Sequence, residues 1–255
     1  EETPFYSKSG KTTAKNTLTE WQTDSLRASG TNAHIEGDAT AAEARTATSR
    51  LGNYTQIFKN AVVVPDTDEG LNKAGRAKEV AYQTLKIAKE QKLDIEKALF
   101  ANNARVAGNA TTARELAGAP AWMITNVDFQ SGNSGANPTG DGSDARTDDG
   151  TATAFSQTKF DGVMQSIWEE GGKPDTVYLS AFQMNVALGF TGNNNQRSAV
   201  QAGDEKVIKS LAVCGTKNVA LAKTGDNTTR QVVTELTLCA KNEKANGIIA
   251  DNTTS

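Results

Sequence analysis

Proton-transfer chemistry in this chain has few residues to work with. His34 is the only histidine in 255 residues, so a Ser-His-Asp or Cys-His system would have to recruit it. It lies between Ala33 and Ile35, inside a run of small and polar residues. That is a poor setting in which to hold a base against a nucleophile. A solvated side chain, or one used in a subunit contact, is the alternative reading. Carboxylates remain. Glu169 with Glu170 and Asp148 with Asp149 are adjacent in sequence, at a helix end and in a loop, and read as solvated charge. Nothing in their spacing brings Glu20, Asp24 and Glu36 together.

Cys214 and Cys239 are the only cysteines. They form no CxxC pair and have no His/Cys cluster around them, so no zinc signature exists. They read as two buried free thiols in a reducing compartment rather than as a disulfide. The acid-rich segment Ser131–Thr153 invites a calcium reading. Its spacing does not fit an EF-hand loop, which ends on a Glu, and it reads as a plain surface loop. The stretch "AKTGD" (Ala222–Asp226) lacks the spacing of a phosphate loop, and "SGNSGANPTG" lacks the strand-turn-helix setting of a dinucleotide fingerprint. The expected catalytic, cofactor-binding and metal-binding sets are therefore all empty.

Composition agrees with a structural role. Apolar residues make up 37% and aromatic residues 6% of the chain, and mean hydropathy is −0.51. Part of the stability of so polar a chain can come from neighbours in an assembly. The net charge is −3, with Lys and Arg interleaved with Asp and Glu. No basic stripe announces sequence-reading of nucleic acid. No apolar run approaches the roughly 20 residues of a membrane span, and no signal peptide is visible. The chain opens at "EETPFYS" without Met, which suggests that a preceding piece was removed or is not included.

Thr3–Thr17 lacks helical period and reads as an extended arm that Phe5 and Tyr6 could anchor, on its own domain or on another chain. Asn16–Leu26 alternates with period two and reads as a strand. A polar stretch, Arg27–Arg50, separates it from Leu51–Val64. That second run is rich in aromatic and β-branched residues and reads as one long strand. The two strands make a projecting hairpin with a long tip. An isolated two-stranded ribbon is marginal in water, so it needs another surface.

Arg76–Val106 contains no Gly or Pro and predicts a long helix. Ala81, Leu85, Ala88, Ile95 and Leu99 fall at helical spacing, and Lys86–Glu90 and Lys92–Glu96 can pair on the wet face. Further on, Ala113–Asn126 reads as a short helix, a break and a strand. Thr158–Pro174 reads as an amphipathic helix built on Phe160, Val163, Met164, Ile167 and Trp168. Asp175–Ala181 reads as a strand and Phe182–Phe190 as a helix closed by "TGNNN". Asn218–Lys223 and Arg230–Lys241 read as a closing hairpin. The mix is α+β rather than a βαβ array.

Several of these stretches, in order, resemble one family. They are "TPFYSKSGKTTAKNTLTEWQTDSL", "RLGNYTQIFKNAVVV", "KAGRAKEVAYQTLKIAKEQKLDIEKALFAN", "GGKPDTVYLSAFQMNVALGFTGNN" and "LAKTGDNTTRQVVTELTLCAKNEKANGIIAD". The chain is similar to the SU-ten-like major capsid proteins of tailed bacteriophages. The resemblance implies the Hong Kong ninety-seven-like capsid fold, with an N-terminal arm (1–15), an extended β-hairpin loop (16–64) and a peripheral domain (65–130) carrying a spine helix over 74–106. It also implies an axial domain mainly within 131–212, and a C-terminal hairpin (213–255) returning to the peripheral domain. Relatives carry several tens more residues between Val213 and Cys214, so a segment there is shortened or omitted.

The implied function is assembly into hexamers and pentamers and then an icosahedral shell around double-stranded DNA. The implied location is the virion, built in the host bacterial cytoplasm. The implied partners are other copies of the chain, with portal, scaffold or decoration proteins and non-specific contact with DNA. Phe5, Tyr6, Trp21, Tyr54, Ile57 and Phe58 are the expected subunit-interface residues, since aromatics dominate interface energetics. Another virion component, such as a tail or decoration protein, is the alternative; a carboxylate-based hydrolase is a more distant one.

Overall fold

A computed structural model of the chain describes residues 3–27, 29–39, 45–71, 75, 78–129, 136–147, 152–190, 211–223, 225–250 and 252–253, with backbone alone over 211–216. In chain order the elements are α1 (Pro4–Lys8), β1 (Lys11–Thr12), β2 (Leu18–Thr23), β3 (Ser49–Tyr54), β4 (Gln56–Pro65), α2 (Asp66–Gly70) and α3 (Glu79–Phe100). There follow a 3-10 turn (Ala119–Ala121), β5 (Val127–Phe129), α4 (Gln157–Glu169) and α5 (Ala181–Leu188). The chain closes with β6 (Leu211–Ala220), β7 (Asn227–Leu238), a second 3-10 turn (Glu243–Ala245) and β8 (Ile248–Ala250). Parts of the ranges expected for the spine helix and the axial domain, including the "TGNNN" stretch, lie outside the described residues.

The expected hairpin exists, but its second strand is split. β2 and β3 pair antiparallel from Leu18↔Tyr54 to Thr23↔Ser49. The chain then leaves the ribbon at Thr55. β4 pairs antiparallel with β7, from Gln56↔Leu236 to Pro65↔Asn227. The partner of Leu51–Val64 is thus β2 for its first part only. The closing hairpin is present as β6 and β7, with a register shift between Val213 and Gly215. β1 runs parallel to β6, so the main sheet has the order β1-β6-β7-β4. β5 and β8 form a small parallel pair elsewhere.

α3 covers one face of this sheet. Alternation along β4 sends Phe58 and Val64 into the chain and Ile57 and Val63 out, as the pleat requires. On α3 the buried residues are Glu79 at its start and then Ile87, Gln91, Ile95 and Leu99, these four spaced by four. Ile95 and Leu99 join Phe58, Leu116, Trp122, Leu236 and Leu238 in the core. Burying each such side chain is worth about 1.5–3 kcal/mol relative to exposure. Gln91 is a polar member of this stripe. Its Nε2 donates to Val232 O at 3.1 Å, and Thr234 Oγ1 donates to its Oε1 at 3.0 Å. The helix is thereby tied to the backbone of β7.

Several sequence expectations give way to tertiary demands. α3 ends at Phe100, short of the Val106 expected from the sequence, because Asn102 and Asn103 spend their side chains on distant backbone. Asn102 Nδ2 donates to Arg146 O at 2.7 Å, and Asn103 Nδ2 donates to Leu116 O at 2.8 Å. Just past this end the chain meets Gly118, where a Cβ would lie 2.0 Å from Ala101 O. Leu85, expected on the buried stripe, is exposed; the sheet contact is set by the neighbouring row. No helix forms over 113–117, where Glu115 instead bridges Val106.

The arm is not fully extended. Pro4 opens α1, where its missing N–H costs nothing. The free amides of the first turn find an acceptor on another element: Phe5 N and Tyr6 N donate to the Glu96 carboxylate at 2.9 and 2.8 Å. Glu96 is therefore engaged by the arm, whereas the Lys86–Glu90 pair forms as expected at 3.8 Å. Asp175–Ala181 forms no strand. Its Tyr178 ring instead meets Phe5 and Phe100, with centroids at 5.5 and 5.4 Å, and Ser180 caps α5 in a capping box with Gln183. On α4 only Val163 and Ile167 are buried, and Trp168 points out.

Candidate subunit interface

The ribbon of β2 and β3 is held firmly at its base. Asn53 is fully buried. Its Nδ2 donates to Ala117 O at 3.1 Å and to Leu238 O at 2.9 Å, and its Oδ1 accepts from Ala117 N at 2.9 Å. One amide thus joins β3, the loop before the first 3-10 turn and the end of β7. Trp21 Nε1 donates to Ala240 O at 3.0 Å, and its ring lies 5.2 Å from that of Trp122. Trp122 is in turn seated against Gly142, whose φ of +80° and lack of Cβ leave room for the indole. Arg105 donates to Gly52 O.

Thr55 marks where the ribbon departs. Its N–H donates to Thr17 O at 2.8 Å and its Oγ1 donates to Glu235 at 2.6 Å. Its carbonyl accepts from Arg114 Nε at 3.2 Å, while Arg114 Nη2 pairs with Glu235 at 2.8 Å. This half-buried ion pair fixes the change of direction.

Beyond Thr23 and Ser49 the described residues of the tip form no helix or strand, and Leu26 and Ile35 are almost wholly exposed. His34 is exposed too, within 2.8 Å of Asn32 Oδ1 and 4.0 Å of Asp38. More apolar surface lies open on β4 at Ile57 and Val63, and on α5, which buries no residue and exposes Met184 and Leu188.

The six expected interface residues fall into three groups. Phe5, at 2% exposure, and Phe58, at 8%, lie inside the core of their own chain. Tyr6, Trp21 and Tyr54 are half-buried; the Tyr6 ring faces Lys11 Nζ at 4.7 Å. Ile57 is 52% exposed. The sequence reading ranked positions by aromatic character, whereas strand parity separates Ile57 from Phe58. It also passed over Leu26, Ile35, Met184 and Leu188, because an apolar residue on an open face looks the same in sequence as one in a core.

The electrostatics around these elements suit cohesion rather than catalysis. Burial, with the charges of Glu96 and Asp175, pushes the Tyr178 hydroxyl up to about 12. Hydrogen bonds from Lys223 and Thr228 hold the exposed Asp66 carboxyl below its ordinary value, at the end of the sheet where Asp66 N also donates to Asp226 O at 3.3 Å. Among the described residues no group of three His, Cys, Asp or Glu side chains could hold a metal ion. Cys239 is buried; the side chain of Cys214 lies outside the described residues. No described helix is long and apolar enough to cross a membrane.

The profile of the SU10 major capsid protein family matches residues 1–213 and 208–253. The chain belongs to that family. The two matched blocks overlap at 208–213, beside the Val213–Cys214 junction at which the sequence reading expects a shortened or omitted segment. The major capsid protein of Escherichia phage Phieco32 is 40% identical over 106 residues, which is 41% of this chain and 30% of that protein. The match thus spans about a third of the length of that curated relative.

Among solved structures, the capsid of a native GTA particle aligns with a TM-score of 0.60 at 8% identity, over 99% of this chain and 91% of that one. A chain of Mycobacterium phage Bobi aligns with a TM-score of 0.55 at 11% identity, over 97% and 85%. Likenesses at such identities show the fold alone. A family of major capsid proteins is structural, not enzymatic, and the empty catalytic set is in keeping with that.

Proposed function

We propose that copies of this chain assemble, as hexamers and pentamers, into the icosahedral head shell that encloses phage double-stranded DNA. The observation that carries the proposal is the ribbon. It is anchored at its base by Asn53, Trp21 and Thr55, yet its apolar tip residues Leu26 and Ile35 have no cover from their own chain. A neighbouring subunit supplies that cover. Ile57 and Val63 on the open face of β4, with Met184 and Leu188 on α5, are further contact positions. Tyr6, Trp21 and Tyr54 contribute through their exposed parts. Phe5 and Phe58 support the same surfaces from beneath.

The topology supports a Hong Kong ninety-seven-like division of labour. The extended loop is the ribbon with its tip, the spine helix is α3, and the peripheral domain includes the sheet of β4, β7 and β6. The C-terminal hairpin returns to that sheet. The axial domain is built around α4 and α5. The arm begins with α1, docked on its own α3. Contacts with DNA are non-specific and weaken with salt. Portal, scaffold and decoration proteins are the further partners of such a shell, which is built in the host cytoplasm. Electron microscopy with sedimentation tests the reading. Capsomers or shells are expected, and a compact monomer that persists even with scaffold supplied would overturn it.

A further inference from the structure

β4 is the outer strand on one side of the main sheet, next to β7. Along an antiparallel ladder, opposed residues alternate between pairs that exchange both backbone bonds and pairs whose N–H and C=O point away. Two bonds fix that alternation here. Asp66 N donates to Asp226 O, one step beyond Pro65↔Asn227, so the even-numbered residues of β4 face β7. Leu221 N donates to Thr229 O, one step beyond Ala220↔Arg230, so the odd-numbered residues there on β7 face β6 and the even ones face β4. The two agree. The amides and carbonyls of Ile57, Lys59, Ala61 and Val63 therefore point out of the sheet. Among the described residues nothing bonds to them, and their side chains are exposed.

This open row is stopped at both ends. Thr55 spends its outward groups within the chain, its N–H on Thr17 O and its C=O on Arg114 Nε. Pro65 has no N–H to offer. An open edge with apolar side chains is a template for another strand, and this edge is complementary to itself. Paired antiparallel about a two-fold axis, it has one register that uses every outward group: Ile57 opposite Val63, and Lys59 opposite Ala61. Thr55 and Pro65, neither of which can extend the ladder, then fall opposite each other. A slip one way sets Lys59 against Lys59, and like charges directly opposite are unfavourable. A slip the other way sets Ile57 against Pro65 and loses its bond. We propose that β4 pairs with β4 of a second copy in this register, so that one sheet runs through two subunits. This rests on the self-assembly reading and names one contact within it. Rings of subunits are built from head-to-tail contacts, whereas a two-fold contact is isologous; this one joins one ring to the next.

Cysteine pairing reads the register. In a bond-exchanging pair the Cα atoms lie about 5.5 Å apart, within disulfide reach. Lys59→Cys and Ala61→Cys, expressed together as separate chains and mildly oxidised, should give a cross-linked dimer. Neither variant alone should do so, because like positions of the two copies lie about 9 Å apart. The oxidised parent is the blank. No cross-link in the coexpressed pair overturns the contact. An equal yield from Lys59→Cys alone overturns the register. Cross-linking of Lys59→Cys to Glu20→Cys, and not to Ala61→Cys, makes the ribbon of the second copy the occupant and overturns the β4 pairing. Ala61→Pro deletes an outward amide but no ladder bond. It should keep the unfolding temperature and the rings, yet close shells about ten-fold less well, for the hydrogen bond lost on each side of the axis. A folded Ala61→Pro with undiminished shells overturns the proposal. Particles that form without the cross-link remove the β4 contact and leave the self-assembly reading standing, while a monomer without it overturns both.

Discussion

β3 and β4 are consecutive stretches of one β-forming run, separated only by Thr55, and they have different fates. The six residues of β3 pair with β2 in a ribbon. The ten residues of β4 pair with β7 in a sheet backed by α3. β3 depends on polar ties: Asn53, the Arg105 contact and the Thr55–Glu235–Arg114 cluster. β4 depends on a row of side chains, Phe58 and Val64, pressed against a helix. Propensity favours β4, which carries Ile57, Phe58 and three valines where β3 has Gly52 and Asn53, and the surface each finds differs as well. The part with a helix behind it becomes the core of a subunit. The part held by hydrogen bonds becomes a projection with open apolar residues at its tip.

The contrast can be broken from either side. The largest effect is expected from Phe58→Asp, which buries a charge among Ile95, Leu99 and Leu236. It should cost more than about 4 kcal/mol and leave no folded subunit to assemble, as circular dichroism would show. Asn53→Ala strips the ribbon base of three hydrogen bonds and leaves buried backbone groups without partners. A loss of about 2–4 kcal/mol is expected in denaturant unfolding. Gln91→Ala should cost less, about 1–3 kcal/mol by the same measurement, because it leaves the Val232 carbonyl and the Thr234 hydroxyl short of one partner each.

A smaller effect concerns pH. The folded state raises the Tyr178 value from 10.0 to about 12, so its contribution is intact below pH 10 and is lost as pH climbs from about 10 to about 12. Thermal unfolding of the parent should fall more steeply over that window than that of Tyr178→Phe. The smallest effect on folding is expected from Ile57→Asp, one residue from Phe58 but on the open face. Unfolding should shift by no more than about 0.5 kcal/mol, while the yield of assembled particles falls. Equal stability losses in Ile57→Asp and Phe58→Asp would erase the distinction between the two faces of β4.

Much of this architecture can be read from the chain itself, and the failures share a cause. Local periodicity exposes α3, α4, the β2–β3 ribbon and the β6–β7 hairpin, because each repeats its signal over enough residues. Periodicity does not say which of two adjacent rows on a helix meets the sheet, so Leu85 was placed in the core and Ile87 was not. It also does not show that Tyr178 is needed beside Phe5 and Phe100, which leaves its segment without a strand partner. Glu96 reads as half of an exposed ion pair until the arm folds back to claim it. The candidate interface was less legible than the fold. Aromatic character pointed to Phe5 and Phe58, and burial within one chain takes precisely such residues first. Leu26, Ile35, Met184 and Leu188 became visible only when the fold left them without cover.

The central claim is that the uncovered ribbon and open faces are covered by other copies of the same chain. Sedimentation velocity followed by electron microscopy of the purified chain, with and without scaffold, tests it most directly. Rings of five and six subunits, or closed shells, with the ribbon of each subunit lying over its neighbour, are the predicted result. A single slow-sedimenting monomer under every condition would contradict it.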